Sequence, residues 1–255
     1  MSLLIDADYI VYKCCAACET EIDYGDDVIV VTSRFTDAYE AVLRELYNIA
    51  NDLGCFDDSI LFFSDSRNFR KQLDSAYKGH RNRKKPCGYK RVINKLKEDY
   101  PVVVMPNLEA DDAIGIYATR HKGHIICSPD KDMKQIPGEL YDLSNEVTLI
   151  TAEQGNRWHL VQTMAGDQTD GYAGVPSIGV KRAEALLDSK GCTWKTVVEA
   201  FAEKDLDEDH ALLNARLAKI LQVNDYDFTN QEIRLWSPPS SVGAKDGAAI
   251  QAETD

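Results

Sequence analysis

"LLIDADYIV", residues 3–11, is an apolar run broken by two acids, Asp6 and Asp8. So short a run ending in a carboxylate reads as a buried strand that stops near Asp6. The pattern returns along the chain. "SILFFSD" at 59–65 ends in Asp65. "PVVVMP" at 101–106 is held between prolines and leads to Glu109, Asp111 and Asp112 of "LEADD". "GHIICSPDKDM" at 123–133 runs into Asp130 and Asp132. Between these runs lie helical patterns. Residues 36–53 carry apolar residues at helical spacing after a Thr cap and stop at Gly54; further helices are expected from about Gly88 and from near Glu109. Weaker strand signals follow at 139–150. Strands alternating with helices predict an α/β fold, a mainly parallel central sheet flanked by helices.

Helix capping accounts for one acidic cluster, since carboxylates in a first turn satisfy free N–H groups and suit the dipole. It does not account for acids after every strand. In an open parallel sheet the carboxyl ends of the strands share one edge, and ligands bind there. Like charges gathered at that edge need a cation. Hard oxygen donors at this density suit Mg²⁺ or Mn²⁺.

The bulk numbers exclude other classes. The 255 residues suit one large domain or two modest ones, at an apolar content of 44 %. No apolar run approaches the roughly 20 residues of a membrane span. The N-terminus lacks the basic region of a signal peptide, so a cytoplasmic protein is expected. The seven cysteines, an odd count, do not form paired C-x-x-C frames. "CCAAC" at 14–18 reads as small buried thiols on a helix rather than a soft-metal site.

The net charge is −13, yet Arg67 to Lys97 holds twelve basic residues against one acid, Asp74. That asymmetry marks a nucleic-acid footprint inside an acidic chain. Tyr77 and Tyr89, interleaved with the cations, are candidates either for stacking on exposed bases or for ordinary packing.

From about residue 156 the texture is helical, through a last amphipathic stretch at 210–223. Asp167 and Asp170 stand at i, i+3, which in a helical turn places both on one side; a capped turn is the alternative. Gly174, Pro176 and Gly179 then build a tight loop between two helices, and Lys181 and Arg182 open the second. Backbone N–H groups at such a helix start can hold a DNA phosphate without reading bases. The organisation expected is an α/β core at 1–155, a helical region at 156–236, and a disordered tail at 237–255.

The ordered set "LLIDAD", "FFSDS", "LEADD", "SPDKDM" and "GDQTDGYAGVPSIGVKRA" resembles the 5′-nuclease (flap endonuclease) superfamily. "YKGHRNRKKPCGY" and "WHLVQTMAGDQTDGY" are most similar to the 5′→3′ exonucleases of T-odd tailed phages. The resemblance spans about residues 3–236 and implies a PIN-like core. It also implies two divalent metal ions, Mg²⁺ with Mn²⁺ as substitute. A first carboxylate group would be Asp6, Asp65, Glu109, Asp111 and Asp112, and a second Asp130, Asp132, Asp167 and Asp170. Lys78 and Arg81 match basic positions at the base of the family's helical arch, which contact the scissile phosphate. With Asp130 they are the implied catalytic groups. Arg83, Lys84 and Lys85 would continue that cationic surface. The loop with Gly174, Val175, Ser177 and Gly179, followed by Lys181 and Arg182, matches the helix–hairpin–helix element that grips duplex DNA, often with K⁺. Ser177 stands where many relatives have glycine.

The implied activity is 5′→3′ exonuclease with 5′-flap cleavage, extending to RNA of RNA–DNA hybrids. The implied enzyme is a monomer in the host cytoplasm, with a functional link to a DNA polymerase. Two rival readings compete with it. A haloacid-dehalogenase-type phosphatase would use Asp6 as nucleophile and Asp8 as acid. A catalytically dead DNA-binding protein would keep the acids only as a metal site.

Overall fold

Residues 3–5 form the centre of a six-stranded sheet because they are apolar on both faces. Leu3, Leu4 and Ile5 are all fully buried. A strand covered on both sides has to be continuously apolar rather than alternating. The computed structural model describes residues 1–55, 58–81, 84–144 and 146–239. Arg83, and the expected tail from residue 240 on, lie outside the described residues.

The described chain runs β1 (Ser2–Asp6), α1 (Ala7–Ala17), β2 (Thr20–Asp23), β3 (Ile29–Thr32), α2 (Phe35–Asp52), β4 (Ser59–Phe62), α3 (Arg70–Leu73), α4 (Tyr89–Asp99), β5 (Val102–Val103), α5 (Ala110–Arg120) and β6 (His124–Cys127). A 3₁₀ turn at Lys131–Gln135 leads to β7 (Gly138–Tyr141), β8 (Val147–Ile150), α6 (Ala152–Ala165), β9 (Gly166–Asp167), β10 (Tyr172–Ala173), α7 (Val180–Lys190), α8 (Trp194–Ala202) and α9 (Glu208–Ala218). The short strands β11 (Tyr226–Asp227) and β12 (Glu232–Ile233) follow.

The sheet order is β5-β4-β1-β6-β7-β8. Its pairings are parallel except β7 with β8. The period of two sorts side chains between the faces. Leu3, Ile5, Leu61, Phe63 and Ile125 pack with Val11, Val42, Leu46, Val92 and Leu96 from α1, α2 and α4. Leu4, Phe62, Ile126 and Leu140 pack with Ala113 and Ile114 of α5. The cysteines at 14 and 15 are buried on α1, as their small apolar character favours. The run at 101–106 yields only a two-residue strand, because the prolines at its ends withhold ladder hydrogen bonds.

The helical region packs on its own core of Leu160, Met164, Val175, Ile178, Leu187, Val197 and Phe201. Its last helix corrects the sequence expectation. The amphipathic stretch at 210–223 stops being helical at Ala218. Residues after it return to the sheet domain, where Ile220 joins the α5-side core. Gly115 of α5 permits this: a Cβ there would meet the Leu221 carbonyl oxygen at 2.3 Å. The β2–β3 hairpin was not anticipated in the sequence. Its residues are exposed along both strands, so no neighbour imposes an apolar period on it. Among the described residues no helix is long and apolar enough to cross a membrane.

Candidate active site

The carboxyl ends of β1, β4 and β6 and the start of α5 open onto one cleft of about 710 Å³. Asp6, Asp65, Glu109, Asp111, Asp130, Asp132 and Asp170 line it, so residues far apart in sequence meet at the predicted edge. Each is positioned by local structure. Asp6 ends β1 and caps α1, accepting from Tyr9 N–H at 3.4 Å, and the buried Ser128 hydroxyl donates to its other oxygen at 3.0 Å. Asp65 accepts from the N–H groups of Ser66 and Asn107 at 2.6 and 2.9 Å. Asp130 caps the 3₁₀ turn through Asp132 N–H.

The acids differ in electrostatic state. Burial, then the Asp8 charge, pushes Asp6 up to about 6. Burial and then Asp130 push Asp132 up to about 7. Burial, Asp6 and Asp130 raise Asp111 well above the usual carboxylate range. Glu109 goes the other way: burial would raise it, but Lys78 and Arg70 outweigh burial and hold it at about 2. The N–H of Asn107 and the Ser66 contacts keep Asp65 below its ordinary value. Crowded carboxylates short of internal cation are a donor set for a hard divalent ion. Among the described residues no three His, Cys, Asp or Glu side chains already stand close enough to ligate one ion. Mg²⁺ tolerates this, because it keeps several waters and takes only one or two carboxylates directly.

Cations line the same cleft, in contact with the acids. Lys78 pairs with Glu109 and stands 3.6 Å from Asp170, and Arg81 pairs with Asp170 at 2.6 Å. Lys85, Lys90 and Lys97 also line the cleft, and Lys85 lies 4.6 Å over the Tyr89 ring. Lys84 is exposed beside them. The two tyrosines are not available for base stacking as proposed from sequence, being 1 % and 6 % exposed at Tyr77 and Tyr89. Their hydroxyls work on the acids instead. Tyr77 Oη lies 3.0 Å from Glu109 and 2.9 Å from Asp170, bridging the two carboxylate groups. Tyr89 donates to Asp8 at 2.8 Å.

Asp112 is a correction. It is fully buried, and Arg70 grips both its oxygens at 2.7 and 2.8 Å. It also accepts from Leu221 N–H at 3.1 Å and from Glu109 N–H at 3.3 Å, so the capping alternative holds for this member of "EADD". It does not face the cleft. Asp167 also stands back from the cleft lining: Lys131 holds one oxygen at 2.7 Å, and the other caps the turn through Thr169 N–H at 2.7 Å. Asp8 also lines the cleft, with one donor on each oxygen, Ser64 N–H at 2.8 Å and Tyr89.

The loop at 174–179 runs from β10 into α7; the expected direct loop between two helices is corrected, because the paired strands β9 and β10 stand between α6 and it. A Cβ at Gly174 would meet the Met164 carbonyl oxygen at 2.3 Å, so only glycine lets the loop close on α6. Ser177 takes a left-handed φ of 67°, the conformation for which glycine is the usual choice. Val175 turns into the helical core, leaving only its backbone for a ligand. Lys181 and Arg182 are exposed in the first turn of α7, after Gly179.

Sequence reasoning passed over Arg70, Ser128, Lys131 and Gln162, each of which touches one of the acids. Ser128 carried a signal in its place at a strand end beside Asp130. Arg70 and Gln162 carried none, since their partners come from distant segments.

The chain matches the family model described as 5′-3′ exonuclease, N-terminal resolvase-like domain, over residues 1–162. It is 28 % identical to the exodeoxyribonuclease of Enterobacteria phage T3, over 93 % of each chain. It is 27 % identical to the exonuclease of Escherichia phage T7, over 92 % of this chain and 93 % of that one. Its fold matches that of the bacteriophage T5 D15 flap endonuclease, solved with DNA and metal ions, at a TM-score of 0.64 and 13 % identity over 86 % of this chain and 88 % of that one. With this match covering the strand-end acids and the basic wall, the chain belongs to the 5′-3′ exonuclease family, hydrolases that act on phosphodiester bonds.

Proposed function

We propose that the cleft hydrolyses duplex DNA from a 5′ end in the 5′→3′ direction and cleaves 5′ flaps, using two divalent ions, Mg²⁺ or Mn²⁺. RNA in RNA–DNA hybrids is included as substrate. The observation that carries this reading is the convergence of strand-end carboxylates in one cleft that Lys78 and Arg81 also line. Asp6, Asp65, Glu109 and Asp111 would hold one ion, and Asp130, Asp132 and Asp170, with Asp167 behind them, the other, one or two directly and the rest through the ion's waters. When bound, the ions supply activation of the attacking water and stabilisation of the leaving 3′-oxygen.

The chain's own residues do the rest. Burial would push Lys78 down, but Glu109 and Asp170 outweigh it and keep the ammonium charged. That charge lies beside the acids and can meet the scissile phosphate as negative charge develops. Arg81 is tethered through Nε to the Thr169 carbonyl at 3.0 Å while its side chain stays 42 % exposed, which leaves guanidinium surface for a phosphate oxygen. The N–H groups at the start of α7, with Lys181 and Arg182, are assigned to the duplex backbone, without base readout.

The test is digestion of 5′-labelled and 3′-labelled duplex in Mg²⁺, beside EDTA and Asp130→Ala. Early short 5′-labelled products, with progressive shortening of the 3′-labelled strand, are expected, and both disappear in the controls. Protein that binds the duplex but leaves both labels intact would overturn the reading.

A further inference from the structure

Two buried glutamines connect a cleft carboxylate to the end of the last helix. Gln135 is 1 % exposed and Gln162 is 3 % exposed. An amide side chain can be placed in either of two flipped orientations, so its polarity has to come from its partners. Here the far end decides. The Ile220 N–H can only donate, and it reaches Gln135 Oε1 at 3.0 Å. The Ala218 carbonyl can only accept, and Gln135 Nε2 donates to it at 2.6 Å. The same nitrogen gives a hydrogen to Gln162 Oε1 at 2.7 Å. Gln162 is thereby left facing Asp132 with its Nε2, which donates to Oδ1 at 2.5 Å. Backbone groups at 218 and 220 thus dictate a hydrogen-bond donor at Asp132.

This relay ends on a carboxylate that lines the cleft. We infer that Gln162 and Gln135 are positioning residues for Asp132, holding its carboxylate turned for a divalent ion and tying that orientation to the docking of α9 on the sheet domain. Arg70 strengthens the tie by donating to the Leu217 carbonyl at 2.9 Å, on the same segment. The inference rests on the metal role proposed for Asp132.

The experiment uses the full chain, with Gln162→Glu, Gln162→Leu and Gln162→Asn beside the unaltered protein. Gln162→Glu keeps the length and turns the donor into a second carboxylate. Gln162→Asn keeps an amide that ends one methylene short, and supplies the answer should the leucine variant fail to fold. Two half-points are read: the Mg²⁺ concentration for half of the Mg²⁺-induced rise in Tm without DNA, and that for half-maximal cleavage of labelled duplex. Outer partners of metal ligands typically set affinity by about 10–100-fold. Both half-points are expected to rise by that factor in Gln162→Leu and Gln162→Asn, whereas Gln162→Glu sets a buried like charge against Asp132 and is expected to lower Tm in EDTA as well. Unchanged half-points with a lowered Tm in EDTA would overturn the inference and leave the glutamines structural. Unaltered protein that neither gains Tm nor cleaves in Mg²⁺ would sink the nuclease reading itself, and the inference with it, before any substitution is compared.

Discussion

Asp111 and Asp112 are neighbours in the chain, in the same first turn of α5, and their carboxylates are in opposite situations. Asp112 faces inward and meets a bidentate guanidinium and backbone N–H groups. Asp111 faces the cleft among Asp6, Asp130 and Glu109, which raise it. Successive residues on a helix are about 100° apart, so one turn can send one acid to the core and the next to an open edge. The knot behind the cleft compensates its charges internally. In the cleft Glu109 and Asp170 pair with Lys78 and Arg81, but Asp6, Asp111 and Asp132 are raised by burial and neighbouring acids, which favours an added cation. The difference separates residues that hold the fold from residues that act.

The largest expected effect comes from cutting the knot. Removing one partner of a buried ion pair strands the other, at a cost of about 3–5 kcal/mol. Arg70→Met strands Asp112 and also frees the carbonyls of Leu217 and Lys219. Urea denaturation in EDTA is expected to show a loss of that size for Arg70→Met and Asp112→Ala. Asp111→Asn removes a repelled charge, so it should hold or gain stability in the same assay while losing cleavage and the Mg²⁺-induced rise in Tm. If Asp111→Asn destabilises as much as Asp112→Ala, the division between the two regions fails.

How far this was readable before the structure follows from the same pair. Apolar runs ending in acids are local patterns, and they placed β1, β4 and β6 and gathered most of the cleft. Asp112 was misassigned because its decisive partner, Arg70, is 42 residues away and arrives through packing. Tyr77 and Tyr89 stayed open between stacking and packing for a related reason, and the structure decides for packing. Their setting among cations in sequence suggested an exposed basic arch, whereas their rings are buried and their hydroxyls turn to Glu109, Asp170 and Asp8. The end of α9 was missed because an apolar stretch does not say where it leaves the helix to fill another core.

Lys78 lies on the boundary between the regions. It compensates Glu109, yet it lines the cleft. If its charge serves the reaction, Lys78→Ala should lower kcat about 10²–10³-fold, the usual effect of losing one group that stabilises developing charge. Lys78→Arg should restore part of it. Stability in EDTA should fall far less than for Arg70→Met, because Glu109 keeps Arg70 and Tyr77 as partners. A stability loss matching Arg70→Met, with kcat preserved in the folded fraction, would move Lys78 into the knot.

The smallest effect concerns a third way to bury an ionisable group, which is to keep it neutral. His159 is 4 % exposed, and its Nε2 lies 2.8 Å from the Ala215 carbonyl, which takes a hydrogen from the neutral ring. Burial, and then the Lys219 charge, push it down to about 3. An unfolded histidine takes a proton near pH 6.5. Below that pH the unfolded chain binds a proton that the folded chain refuses, so stability is lost as pH falls from about 6.5 toward 3. Above about pH 7 both states are neutral and the contribution is flat. At pH 5 the loss assigned to this group is on the order of 2 kcal/mol. Gln in its place can donate to the same carbonyl but cannot titrate. Urea midpoints at pH 7.5 and pH 5 are therefore expected to separate more for the unaltered protein than for His159→Gln. Equal separations would mean that His159 charges in the folded state, and that burial here is less complete than its surroundings imply. Cleavage in Mg²⁺ at pH 7.5 should be unchanged by the substitution, since the ring touches the helical core and Trp236 rather than the acids.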